Sequence, residues 1–276
     1  MGFREVSIKS LKSEKMNKNE LNITLKRASW LLAIFFSIAI VVSAVGRKEA
    51  SMVQEVQVTV EPLQGDNLLI KPEDVLITIE RSVGAQLRGM PLNSVDVARI
   101  ERVLEEDPFV IDADVYVTAQ SVVRVNIKQR EPILRVIDNN GLNYYLDKEG
   151  NKMPLSRHFA ARVLTATGNI PPHDPEFLQR KKHRLKDLFL LSEKILADEF
   201  YKALIEQIYV SNTGEFTLIP KVGDQKIIFG RLANADDKLE NLKIFYQEGI
   251  PFVEKGWNAY RTIDVRFKGQ VVCEKK

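Results

Sequence analysis

Residues 104–132 read LEEDPFVIDADVYVTAQSVVRVNIKQREP. Ala113, Val115 and Val117 alternate, residues 118–121 turn the chain, and Val123, Val125 and Ile127 alternate again against Arg124, Asn126 and Lys128. Because successive strand side chains point to opposite faces, this period of two describes a pair of half-buried strands. Upstream, Asn93-Ser94 with Asp96 just beyond is a cap signal. Val97, Ile100, Val103 and Leu104 follow at helical spacing, and this helix ends near Pro108. Earlier still, Lys71-Pro72-Glu73-Asp74 puts proline at a first helical position and acids in the first turn, with Val75, Leu76 and Ile79 as the apolar face. Val56, Val58 and Val60 alternate as a first strand. The order over residues 52–130 is β-α-α-β-β. Two helices on one face of a three-stranded sheet bury one core and leave a sheet face and at least one edge for partners.

Downstream, Arg130-Glu131-Pro132 breaks the strand, and residues 133–137 and 142–146 read as a hairpin around Asn139-Asn140-Gly141. Asp147-Lys148-Glu149-Gly150 is a second turn, and an irregular stretch rich in Gly and Pro follows Met153-Pro154. A helix is expected to begin at Asp174-Pro175-Glu176 and to carry the basic run 180–184 on a solvated face. Strands are expected at 208–211, 215–219 and 226–229, a helix over about 235–246, and closing strands at 261–267 and 270–273.

Composition is globular: 45% of the 276 residues are apolar and 28% charged. The net charge of +3 is unevenly placed. Residues 1–27 hold seven Lys/Arg against three Glu, so the remainder has 33 basic and 34 acidic residues. A body that is net −1 lacks the cationic excess on which phosphate-backbone binding depends. Cys273 is the only cysteine, so no intramolecular disulfide is possible, and His158, His173 and His183 show no zinc-site spacing. No cofactor, metal or catalytic residue is expected.

Residues 28–45 read ASWLLAIFFSIAIVVSAV without a charge, which as a helix spans roughly 27 Å, close to the bilayer's hydrocarbon thickness. Flanking Lys26-Arg27 and Arg47-Lys48 argue against a buried core helix. Cleavage after Ala44, as in a signal peptide, is the alternative to a retained anchor. With the anchor retained, the organisation is a cytoplasmic basic tail (1–27), a transmembrane helix (28–46), a first folded module (52–130) and a second (131–276). The basic tail stays inside and the bulk is exported, a single-pass type II arrangement.

Residues such as LEEDPFVIDADVYV and VVRVNIKQREP, in the order β-α-α-β-β, make the first module resemble a POTRA domain. Further pieces are REPILRVI followed by YYLDKEGNKMP at the junction, IIFGRLANADDKLENLKIFY, and TIDVRFKGQVV near the end. Behind a basic tail and single span, their order resembles the FtsQ/DivIB cell-division family over nearly the whole chain. The family's D-x-R-aromatic signature stands here as Asp264-Val265-Arg266-Phe267, with Phe267 where many members have Tyr, and the tail after it is short and lacks an aromatic.

The resemblance implies an α+β fold: the transmembrane helix, the POTRA-like module, and a mixed α/β domain with a multi-stranded sheet and an edge C-terminal strand. It further implies a non-catalytic scaffold of the divisome in the inner membrane, concentrated at the septum. Such a scaffold holds small single-span coiled-coil proteins of the FtsB and FtsL type and helps regulate septal peptidoglycan synthesis. If residues 261–267 form the sheet edge, Arg261, Thr262, Ile263, Asp264, Val265, Arg266 and Phe267 can receive a partner strand. Glu73, Asp74, Arg124 and Lys128 are candidates for recruitment contacts on the POTRA-like module. Two other readings compete. A POTRA-bearing translocation or outer-membrane assembly component would carry repeated modules or many barrel strands. An exported wall hydrolase would use carboxylate pairs such as Asp112/Asp114 or Asp147/Glu149, yet no G-x-S-x-G or H-E-x-x-H pattern accompanies them.

Overall fold

The computed structural model describes residues 27, 29–40 and 51–276. The basic tail, and the parts of the expected span outside residues 29–40, lie outside the described residues apart from Arg27. Residues 29–40 are helical with exposed side chains, among them Trp30, Phe35 and Phe36. No helix among the described residues is long and apolar enough to cross a membrane.

The first module is built from β1 (Glu55–Glu61), α1 (Pro72–Val83), α2 (Val97–Glu105), β2 (Val110–Val117) and β3 (Val122–Gln129). β3 lies centrally, parallel to β1 and antiparallel to β2. Pro72 opens α1, where its missing N–H costs nothing, and the Asp74 carboxylate accepts the Lys71 N–H at 3.2 Å. Gly84, at φ 80°, closes that helix by donating to Glu80 O. Asp96, two positions beyond the expected pair, caps α2 by accepting Arg99 N–H at 3.0 Å. Val75, Ile79, Ile100 and Leu104 from the helices pack on Val115, Val123, Val125 and Ile127, all buried. Each such side chain contributes roughly 1.5–3 kcal/mol by leaving water.

The second module is one nine-stranded sheet in the order β12-β11-β10-β9-β8-β7-β4-β5-β6. Its strands are β4 (Pro132–Asp138), β5 (Asn143–Asp147), β6 (Lys152–Met153), β7 (Leu164–Gly168), β8 (Ile205–Val210), β9 (Phe216–Pro220), β10 (Lys226–Gly230), β11 (Tyr260–Asp264) and β12 (Val272–Lys275). β4, β7 and β8 run parallel, as do β10 and β11. Parallel neighbours need crossover connections. α3 (Arg184–Ala197) and α4 (Glu199–Leu204) carry the chain from β7 to β8, and α5 (Ala235–Ile244) from β10 towards β11. Leu188, Leu191 and Ile195 of α3 and Leu239 and Leu242 of α5 are buried with Leu134, Val136, Ile208, Leu218, Ile227 and Ile263 of the strands. The opposite face is half-exposed, with Arg135, Thr165, Gln207 and Ile219 in register across four strands.

Three expectations change. β7, expected to be irregular, is an interior strand whose core-facing residues are Leu164, Ala166 and Gly168, two of them too small to register as an apolar alternation. The helix expected from Asp174 begins only at Arg184. Asp174 Oδ1 does accept Glu176 N–H at 3.1 Å, but Pro171, Pro172 and Pro175 bias their preceding residues away from helix, and most of the basic run precedes α3. The strand expected over 261–267 ends at Asp264 and is not the sheet edge: after a turn through Gly269, β12 folds back and pairs with it, Ile263 facing Cys273 and Asp264 facing Val272.

The modules are joined by both polar and apolar contacts. Arg130 spans the joint, donating to Asp147 Oδ2 at 2.7 Å and to Val110 O at 3.0 Å. The fully buried Asp147 also accepts from the backbone of Glu149 and Asn151. Asp74 of α1 accepts from Arg157 and meets His158 Nε2 at 2.5 Å, while Ser156 Oγ donates to Leu69 O. Leu69, Tyr145 and Met153 are buried beneath these pairs, with Phe109 and Phe159 against them.

Candidate protein-binding edge of the nine-stranded sheet

Two sequence stretches far apart in the chain meet where β10 and β11 end. Gly230 closes β10 at φ +75°, and a Cβ there would lie 2.9 Å from Cγ and Cδ of Arg266. Glycine is thus needed for both its conformation and the space it leaves. Arg266, laid over that glycine, donates from Nε and Nη2 to the Asp264 carboxylate at 2.7–3.1 Å. Asp264 Oδ1 also accepts the Arg266 N–H at 3.0 Å, a local turn that competes with strand continuation. That turn ends β11. Burial opposes the charged form of Asp264, yet the hydrogen bonds from Arg266 prevail and hold its carboxyl below the usual range. Nearby, burial and then Arg266 lower the pKa of Lys238, whose ammonium lies 5.0 Å from the Phe229 ring centre and donates to Arg231 O.

β12 is the last strand of the sheet, with β11 on one side and no strand on the other among the described residues. Glu274 accepts from Arg261 and Thr262 at 3.3 Å, tying β12 to its neighbour. Lys276 donates through its backbone to Ala259 O and pairs through its side chain with Asp224. Exposed apolar side chains occur in this region: Val272 on β12, Phe267 in the turn before it, and Trp257, which packs beside Gly223. Phe252 is 89% exposed.

Of the seven residues expected at the edge, Arg261, Thr262, Ile263 and Asp264 lie in the interior strand β11, and Val265, Arg266 and Phe267 in the turn after it. Ile263 and Val265 are fully buried, while Phe267 remains exposed. The free backbone belongs to residues 272–275 instead. The sequence signals a second closing strand there, but not which of the two strands ends the sheet. Glu73 and Asp74 open α1, whereas Arg124 and Lys128 lie on the sheet face opposite the helices, so the four do not form one surface. Asp74 is engaged by Arg157 and His158 of the second module.

A POTRA-like domain model matches residues 51–128. The "Cell division protein FtsQ" of Rhodothermus marinus is 28% identical over 202 residues, 71% of each chain. A shorter stretch of 95 residues is 32% identical to the "Large ribosomal subunit protein bL9" of Prochlorococcus marinus, covering 33% of this chain and 58% of that one. The Gly230–Arg266–Asp264 contact and the terminal hairpin lie within residues 131–274, which match the model described as FtsQ/DivIB, C-terminal related. That match spans more than half of the sequence, and the chain belongs to the FtsQ/DivIB family of cell-division proteins.

Proposed function

We propose that the chain is a single-span, non-catalytic scaffold of the division machinery that captures small coiled-coil membrane proteins of the FtsB and FtsL type, and through them helps regulate septal peptidoglycan synthesis. The observation that carries this reading is the unpaired outer edge of β12. A partner segment added there forms main-chain hydrogen bonds, and the side chains flanking the edge, Val272 and Phe267 among them, select the partner. The Asp264–Arg266 pair shapes the turn that presents β12, so its role in capture is positional. The apolar run 28–45, helical and exposed over residues 29–40, supports a retained anchor with the basic tail cytoplasmic and both modules exported. Confinement to one membrane raises the effective concentration of single-span partners. Recruitment to the septum is assigned to the POTRA-like module, whose exposed Arg124 and Lys128 face away from its helices.

The test is co-purification from membranes with the full chain carrying single prolines at 272, 273, 274 or 275. Proline removes one backbone donor, so the positions whose N–H points outward should lose partner capture while the protein stays folded. Equal capture by every folded variant would exclude strand addition at β12.

A further inference from the structure

Three strands, β11, β10 and β9, separate β12 from β8. A groove of about 930 Å³ opens beside the amino-terminal ends of β4, β7 and β8. That is near the upper end of the roughly 300–1,000 Å³ typical of ligand sites. Pairing between β4 and β7 begins at Leu134–Leu164, and between β7 and β8 at Thr165–Gln207. Residues 160–162, which line the groove just before β7, therefore lie outside either ladder. Among the described residues, Ala160, Ala161 and Arg162 make no hydrogen bond through backbone or side chain. Backbone donors and acceptors left open in this way are what an added extended segment satisfies.

The lining combines apolar surface from Ile133, Ile195 and Ile205 with four cations, Arg135, Arg162, Lys202 and Lys221, against two acids, Glu131 and Glu206. This local excess of positive charge sits on a body that is net −1 beyond residue 27. Three of the cations have partners. Arg135 donates to Asn143 at 3.1 Å, Lys202 pairs with Glu199 at 3.1 Å, and Lys221 donates to Lys202 O at 2.8 Å. Arg162 is exposed and has none among the described residues. An unpaired guanidinium presents five donors suited to a carboxylate. Apolar lining, open main chain and surplus cations together fit a polypeptide better than a lone phosphate, which would use only the cations.

We propose that this groove binds an extended acidic segment of a separate protein, with main-chain bonds to residues 160–162, apolar side chains against Ile133 and Ile205, and carboxylates on Arg162 and Lys221. The site is independent of capture at β12.

The experiment uses the full chain in neutral-lipid nanodiscs and a fluorescent heptapeptide, Glu-Val-Asp-Ile-Glu-Val-Asp, with binding read by anisotropy. A counterpart with lysine at each acidic position is the control. The acidic peptide should bind at least 10-fold more tightly than the lysine peptide, and binding should weaken with salt. It should fall at least 10-fold in Arg162→Glu/Lys221→Glu and about 3-fold in the milder Arg162→Ala, with thermal unfolding unchanged in both. In hydrogen exchange, amides 160–162 should gain protection when the peptide is bound, and proline variants of β12 should bind it normally. Equal binding of the two peptides, binding unaffected by the double substitution, or protection confined to 272–275 would overturn the proposal. Absent peptide binding, with short-chain phosphatidylglycerol bound instead and lost in the double variant, would overturn it in favour of an anionic lipid.

Discussion

Asp264, Arg266 and Gly230 form a unit in which each residue explains the others. A side chain at Gly230 would collide with the stem of Arg266 in a backbone conformation that L-residues rarely adopt. Gly230→Ala is therefore expected to destabilise by about 1–3 kcal/mol, measured by denaturant unfolding. Asp264→Asn keeps the shape but loses the charge-assisted bonds to Arg266, and should cost about 1–3 kcal/mol. The pH dependence has a definite sign. Because the folded-state pKa of Asp264 is lowered, its stabilising contribution is present above the unfolded carboxyl pKa of about 3.9 and is lost as pH falls through the folded value. Unfolding followed from pH 7 down to 2 should show Asp264→Asn converging on the wild type at the acid end. A stability gap that persists there would mean that the pair does not act through charge.

At the scale of elements, the terminal hairpin alters which experiments are informative. Removing residues 261–276 takes away β11, an interior strand holding the buried Ile263, together with β12, so loss of partner capture would then report a damaged module. Proline substitution within β12 leaves β11 and its core contacts in place. β7 is a second case. Gly168 ends it at φ +104°, and a Cβ there would lie 2.2 Å from Val210 O of the neighbouring strand. Gly168→Ala should cost roughly 2–4 kcal/mol and lower the unfolding midpoint of the second module. Little of this strand was legible in LTATG, because threonine, alanine and glycine give a weak apolar pattern and burial on the sheet is supplied by distant neighbours. By contrast, β3 was legible because Val123, Val125 and Ile127 alternate with polar residues on a sheet that has helices on one face only.

Over the whole molecule, the two modules are linked by Arg130, whose guanidinium bridges Val110 O of the first to the buried carboxylate of Asp147 in the second. Replacing it leaves that carboxylate without its cation, so Arg130→Met is expected to cost about 3–5 kcal/mol. Proteolysis should then cut preferentially near residues 129–131, between modules that are otherwise folded. A second expectation concerns the anchor. The full chain should sediment with membranes with its amino terminus intact, and deletion of residues 28–45 should release it. An amino terminus starting at residue 45 in the mature protein would instead support cleavage after Ala44.

Local chemistry in the sequence determined the elements whose signals are strong: the β-α-α-β-β order, the proline-led start of α1, and the hairpin at Asn139-Asn140-Gly141. Periodicity and backbone sterics act over a few residues, so they can be read without knowing the neighbours. Only the tertiary structure decided that β7 is interior, that Gly230 and Arg266 share one space, that Asp74 is engaged at the module junction, and that β12 rather than residues 261–267 is the free edge. Which strand ends a sheet depends on pairing between residues distant in the chain. No local pattern records whether a given backbone edge has been covered.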